Sequence, residues 1–148
     1  MTVKKGGSAL TRATADRLYK EVQERIREIN ADPTEPMCIT EGLVFGSYIN
    51  DPGKERPNDL DIAITVKARY ADDIEKSHEM QYGRWNELIE AHPSYSSMPF
   101  AHYACEQDVR VRIKKGSKHI QLTDISNDWE IISADVFQYF DVGDIARD

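Results

Sequence analysis

The stretch Gly42–Val66, GLVFGSYINDPGKERPNDLDIAITV, decides how this chain is read. Just upstream and into it, Cys38 to Phe45 is rich in apolar and β-prone residues and reads as a strand running into Gly46-Ser47. Asn50 to Asn58, NDPGKERPN, holds two prolines and a glycine and reads as a long polar turn. Leu60, Ile62, Ile64 and Val66 then alternate with Asp59, Asp61, Ala63 and Thr65, the period of a strand with one apolar face. Alternation puts Asp59 and Asp61 on the same side, and Leu60 and Ile62 on the other, toward the core. Two carboxylates on one strand edge repel each other. A hard divalent cation relieves that repulsion, and Mg²⁺ commonly joins one or two carboxylates to substrate phosphates while keeping several waters. Glycine before serine lets the backbone approach a phosphate closely, and the hydroxyl and following N–H groups can hold it.

Upstream of the strand, Thr11 or Thr14 can cap a helix whose apolar positions are Leu18, Val22, Ile26 and Ile29, one helical face. Asn30, Asp32, Pro33 and Pro36 end it. Residues 1–10, with Gly6, Gly7 and Ser8, read as flexible. Downstream, Asp72 to about Ala91 reads as a helix burying Ile74, Trp85, Leu88 and Ile89, followed by a loop at Tyr95–Pro99. Asp108–Ile113 alternates again and is expected to be a strand, with Val109, Val111 and Ile113 on one side. After a turn at Lys115–Lys118, His119–Ile125 is expected to return as its partner. In the last stretch, Glu130–Ile132 reads as strand and Ala134–Tyr139 as helix. The expected fold is α/β (α+β), a mixed sheet flanked by helices, with residues 11–148 as one domain.

At 148 residues the chain has the length of one domain, and its 40% hydrophobic and 30% charged residues give a globular balance. No stretch approaches the ~20 apolar residues of a membrane span, and no apolar run follows Lys4 and Lys5 as in a secretory signal. Nineteen basic and 26 acidic side chains give a net charge of −7, which argues against a long nucleic acid as partner. Arg110, Arg112, Lys114, Lys115 and Lys118 nonetheless form a basic strip. Asp124, Asp128, Glu130, Asp135, Asp141, Asp144 and Asp148 read as a solvated acidic end. Cys38 and Cys105, outside any C-x-x-C pair, read as reduced small hydrophobes of a cytoplasmic protein. The four histidines show no metal-ligand spacing. Tyr82, Trp85 and Trp129 are expected in the core. Lys54 and Arg56 read as solvated turn charges, with neutralisation of a triphosphate as their alternative role. Ser47 has no base near it in sequence, so phosphate binding suits it better than nucleophilic attack.

The order strand, Gly46-Ser47, turn-rich spacer, Asp59-Leu60-Asp61 resembles the nucleotidyltransferase superfamily that contains DNA polymerase beta, poly(A) polymerases, CCA-adding enzymes and aminoglycoside nucleotidyltransferases. The resemblance implies transfer of a nucleoside monophosphate from a nucleoside triphosphate to an acceptor, with release of pyrophosphate. It implies that Gly46 and Ser47 bind the triphosphate and that Asp59 and Asp61 hold two Mg²⁺ (or Mn²⁺) ions. The family's third carboxylate is best matched by Asp108, with Glu106 and Asp124 in reserve. On an expected strand, Asp108 would share its face with Arg110 and Arg112, and Arg110 would meet phosphate. Asn58 departs from the serine many members carry before the first aspartate. The alternative is a non-catalytic, antitoxin-like binding module on the same fold, acting through a partner protein.

Overall fold

Thr11 opens the first helix as expected: its hydroxyl accepts a hydrogen bond from the Thr14 N–H at 3.2 Å and satisfies one donor the helix start leaves unpaired. The structure, a computed structural model, describes residues 10–148. The expected flexible stretch 1–10 lies outside these except for Leu10, which is buried. Helix α1 (Arg12–Ala31) buries Leu18, Val22, Ile26 and Ile29, the face read from the spacing, at about 1.5–3 kcal/mol per side chain. Strand β1 (Met37–Phe45) follows, then the single turn α2 (Ser47–Asn50), strand β2 (Leu60–Ala68) and helix α3 (Ile74–Ala91). A 3-10 turn (Pro93–Ser97) leads into helix α4 (Ala101–Lys114), strand β3 (Ile120–Asp124), helix α5 (Trp129–Ser133) and strand β4 (Phe137–Tyr139).

The sheet has four strands in the order β3-β2-β1-β4. Strands β1 and β2 are antiparallel, as are β1 and β4, whereas β2 and β3 run parallel. The fold is therefore a mixed α/β arrangement, a mixed sheet flanked by helices. One face of the sheet, through Ile39, Val44, Leu60, Ile62 and Ile64, packs against Val22, Ile26, Val109 and Ile113 of α1 and α4. The other face, through Leu43 and Ala63, packs more thinly against Ile125 and Ile132 of the α5 region, with Phe45 and Phe137 at its margin.

The second half corrects several sequence expectations. Asp108–Ile113 is not a strand but the last part of α4. The buried set Ala101, Ala104, Cys105, Asp108, Val109 and Ile113 recurs at three and four residues, a helical stripe that outweighs the local alternation of Val109, Val111 and Ile113. Val111 is accordingly exposed. Strand β3 therefore pairs with β2 rather than with 108–113, and because two helices carry the chain across a face of the sheet, it arrives parallel. In the last stretch helix and strand are exchanged: 129–133 is helical and 137–139 is the strand. Residues Tyr95–Ser97, expected as loop, belong to the 3-10 turn. Tyr82, Trp129 and Ile74, expected buried, are exposed.

The acidic end is docked rather than frayed. Phe140 covers Gly42, where a Cβ would collide with its ring. The Asn30 side chain donates to Val142 O at 2.9 Å, and the Ala146 N–H donates to Asn30 O at 2.8 Å. Asp148 pairs with Lys76 and accepts from the Tyr70 hydroxyl at 2.9 Å. Behind this strap lies Arg69, fully buried, whose guanidinium donates to the carbonyls of Ile29, Asn30, Glu35, Met37 and Ala146. Among the described residues no carboxylate forms an ion pair with it; five carbonyl dipoles take the charge instead. Cys38 and Cys105 are both buried free thiols.

Candidate functional site

The end of β1 and the start of β2 meet where Phe45 pairs with Asp61. Parallel pairing sets Gln121 of β3 on the other side of Asp61, and Phe137 of β4 lies beyond Phe45. These side chains form one row across the sheet, on the face that carries Ala63 and Ile132. Asp59 stands just before β2, and its charge acts on Asp61. Burial, reinforced by that like charge, pushes the Asp61 carboxyl up from its ordinary 3.8 to about 6.

Gly46 is the close neighbour of this carboxylate. It has φ of +79°, and a Cβ there would overlap the Asp61 Oδ2. Glycine is thus required twice over, for its backbone conformation and for the space the carboxylate occupies. The Ser47 hydroxyl accepts a hydrogen bond from the Asn58 N–H at 3.0 Å, tying the end of the spacer to the start of α2. The rest of the spacer is held by Arg12, whose guanidinium donates to the carbonyls of Tyr48, Asp51 and Lys54 and lies over the Tyr48 ring. The four sequence candidates Gly46, Ser47, Asp59 and Asp61 therefore fall in one place.

Asp108 and Arg110 do not join them. Asp108 accepts from Arg84 at 3.3 Å and forms an ion pair with Arg112 at 3.1 Å. Arg112 in turn grips both Glu35 oxygens, at 2.7 and 2.8 Å, and Arg84 reaches Glu35 at 2.9 Å. Glu35 precedes the start of β1, whereas Phe45, beside Asp61, ends it. A nine-residue strand, roughly 26 Å long, separates the two ends. The strand expectation for Asp108 thus misplaced it: on a helix it turns into a partly buried ion-pair cluster. Burial alone would raise the Glu35 carboxyl, but bonds from Arg112 and Arg84 outweigh it and hold the group below its ordinary value. Arg110, expected to meet phosphate, pairs with Asp124 and Glu106 instead. Arg112 likewise lies far from the Asp61 row. The reserve candidates Glu106 and Asp124 are used in those pairs, with His102 also on Glu106.

Beside Asp61 the structure adds residues that the sequence reading passed over. A cleft of about 370 Å³ is lined by Phe45, Asp61, Gln121, Thr123, Asp128 and Ile131. The Thr123 hydroxyl donates to Asp128. The parallel partner of Asp61, the position from which a neighbouring strand could offer a third ligand, is Gln121. The signal for it was the pair of helices before β3, which demands a crossover and hence a parallel neighbour for β2.

The donor set suits one kind of ion. Among the described residues no group of three or more His, Cys, Asp or Glu side chains is placed to hold a metal. Two adjacent carboxylates, one of them partly desolvated, fit a Mg²⁺ or Mn²⁺ ion that keeps waters and takes its remaining ligands from a substrate phosphate. Among the described residues no helix is long and apolar enough to cross a membrane. No protein family, curated protein or solved structure matches the chain.

Proposed function

We propose that this protein is a metal-dependent nucleotidyltransferase of the superfamily its Gly-Ser and Asp-x-Asp pattern resembles. One observation carries the reading: Asp61 is held half-buried beside a second carboxylate and against a positive-φ glycine, an arrangement that costs stability unless a cation uses it. Asp59 and Asp61 would hold Mg²⁺, which when bound supplies neutralisation of the triphosphate and of the departing pyrophosphate. Gly46, lacking a Cβ, lets the Asp61 carboxylate lie against the backbone at the end of β1. The Ser47–Asn58 bond and the Arg12 clamp fix the spacer, so the two carboxylates meet the donor without rearrangement. Gln121 and Thr123 offer neutral hydrogen-bonding groups beside Asp61, suited to orienting an acceptor hydroxyl. Asp108 has no part in this scheme.

The test is incubation of the protein with each labelled triphosphate, Mg²⁺ and cell extract, followed by identification of the molecule that acquires label. Asp59→Asn and Asp61→Asn should each reduce transfer by at least about a hundredfold, on the scale of losing a charged ligand to the transition state. Full transfer by folded Asp61→Asn would sink the reading. The second reading, a binding module acting through a partner, draws on a specific feature: Gln121 stands beside Asp61 where a third carboxylate could be, and Trp129 and Ile131 of α5, Tyr139 of β4 and Val136 between the two are exposed. Thermal stabilisation by ATP only with Mg²⁺ favours the enzyme. Stabilisation by neither, with a stably co-purifying protein, favours the module.

A further inference from the structure

A second cleft, of about 340 Å³, opens at Asp59. It lies between the turn that carries Arg56 and Asn58 and the turn that carries Lys118 and His119, and Asp59 is on its wall. Its charge is opposite to that of the Asp61 cleft. There the ionisable walls are Asp61 and Asp128, beside the apolar Phe45, Leu122 and Ile131. Here Arg56, Lys118 and His119 share the wall with a single carboxylate, Asp59. None of these three basic side chains has a hydrogen bond or ion pair among the described residues, whereas each of the other described arginines is bonded to a carboxylate, an amide or a backbone carbonyl. Arg56 is thus the one described arginine without such a partner, and it shares this cleft with Lys118 and His119.

The cleft is also built rather than accidental. The Arg56 turn is fixed from below by the Arg12 guanidinium on Lys54 O and by the Arg12 N–H on Glu55 O, at 2.8 Å. The Lys118 turn is fixed by the Leu60 N–H, which donates to His119 O at 2.8 Å and ties it to the start of β2. An anion entering the cleft would meet three basic side chains that have no partner among the described residues.

We propose that this cleft is a phosphate-binding subsite, with Arg56, Lys118 and His119 as its donors. The chemistry it recognises is a phosphate or polyphosphate group. Its identity as part of a reactant rests on the nucleotidyltransferase reading above; its preference for an anion does not. The phosphate has two sources: the tail of the nucleoside triphosphate, or a phosphate carried by the acceptor. The layout accommodates either. Asp59 lines this cleft and Asp61 lines the other, so a phosphate held here lies beside one of the two carboxylates.

Calorimetric titration of the full chain with pyrophosphate, ATP and AMP, with and without Mg²⁺, tests this. The variants are Arg56→Ala/Lys118→Ala and, as a control, exposed Lys67→Ala; circular dichroism melts confirm that each folds. Wild type should bind pyrophosphate or a nucleotide, and the double variant should bind it at least about tenfold more weakly, with Lys67→Ala unchanged. Binding should fall with added salt. If pyrophosphate and ATP are lost together, the subsite holds the nucleotide tail. If AMP is lost while ATP is retained, it holds an acceptor's phosphate. Both results support the subsite. Phosphate binding that survives in the double variant, or is missing from wild type, overturns it. Phosphate binding that depends on Arg56 and Lys118 in a protein that transfers no label keeps the subsite and removes the transferase reading.

Discussion

Asp61 is the residue whose environment departs furthest from that of a solvated carboxylate in the candidate site. Its carboxyl is raised to about 6 by burial and by Asp59, so the fold favours its neutral form. The unfolded chain releases that proton near 3.8, so between there and about 6 the folded state holds more protons. Stability must then fall as pH rises through this window, and the penalty is complete above it. Asp61→Asn removes the penalty. At pH 8 without divalent cations it should stabilise the protein by about 1–2 kcal/mol, allowing for partial exposure, and at pH 4 it should change little. Paired thermal melts at the two pH values check this. Mg²⁺ should raise the melting temperature of wild type at pH 8 and leave that of Asp61→Asn in place. Equal melts of wild type and variant at both pH values would show that the carboxylate is better solvated than its surroundings indicate.

Helix α4 shows how element type decides role. The same six residues, Asp108 to Ile113, would aim Asp108, Arg110 and Arg112 at one place if extended. Wound as a helix, Asp108 and Arg112 fall four apart on one side, where Glu35 and Arg84 meet them, and Arg110 turns to Asp124. The cluster of Glu35, Asp108, Arg84 and Arg112 binds α3 and α4 to the start of β1. Asp108→Asn therefore separates structure from chemistry. It should cost about 1–3 kcal/mol, since both guanidiniums lose a charged partner but keep Glu35. Label transfer per folded molecule should stay within about twofold of wild type. A loss of transfer as large as that expected for Asp61→Asn, in a variant that melts normally, would return Asp108 to the reaction. The aromatic side chains repeat the lesson: Tyr82 and Trp129, each apolar enough for a core, lie on outward faces that only the helix phase defines.

At the scale of the molecule, the last nine residues close the fold against α1 and the end of β2 through Arg69. With no ion pair among the described residues, this buried arginine is held by five carbonyls from three separate segments that converge on it. Arg69→Met would take the guanidinium donors from those carbonyls and release the strap. We expect a loss of about 3–5 kcal/mol and, by hydrogen exchange, early opening of residues 140–148. Exchange in that segment unchanged from wild type would show that Asn30 and Phe140 hold it unaided. The strap lies away from the Asp61 row, so activity should decline only as far as the folded population does.

Local pattern alone was enough for α1, for both strands of the β1–β2 pair, and for the meeting of Gly46, Ser47, Asp59 and Asp61. Each depends on residues close in sequence: an apolar spacing, a two-residue alternation, a glycine at the end of a strand. The apolar alternation of β2 decides which of its residues face the core, and a slip of one residue would turn them all to the other face. What the tertiary structure alone decided was everything that depends on partners distant in the chain. The phase of α4, the parallel arrival of β3 with Gln121 beside Asp61, the docking of the acidic end on Arg69 and the convergence of Arg56 with Lys118 are of this kind. Short apolar alternations fit helix and strand alike, and long-range burial chose between them. Charges carry no periodic signal of their own, so their partners are fixed only once the backbone has been packed.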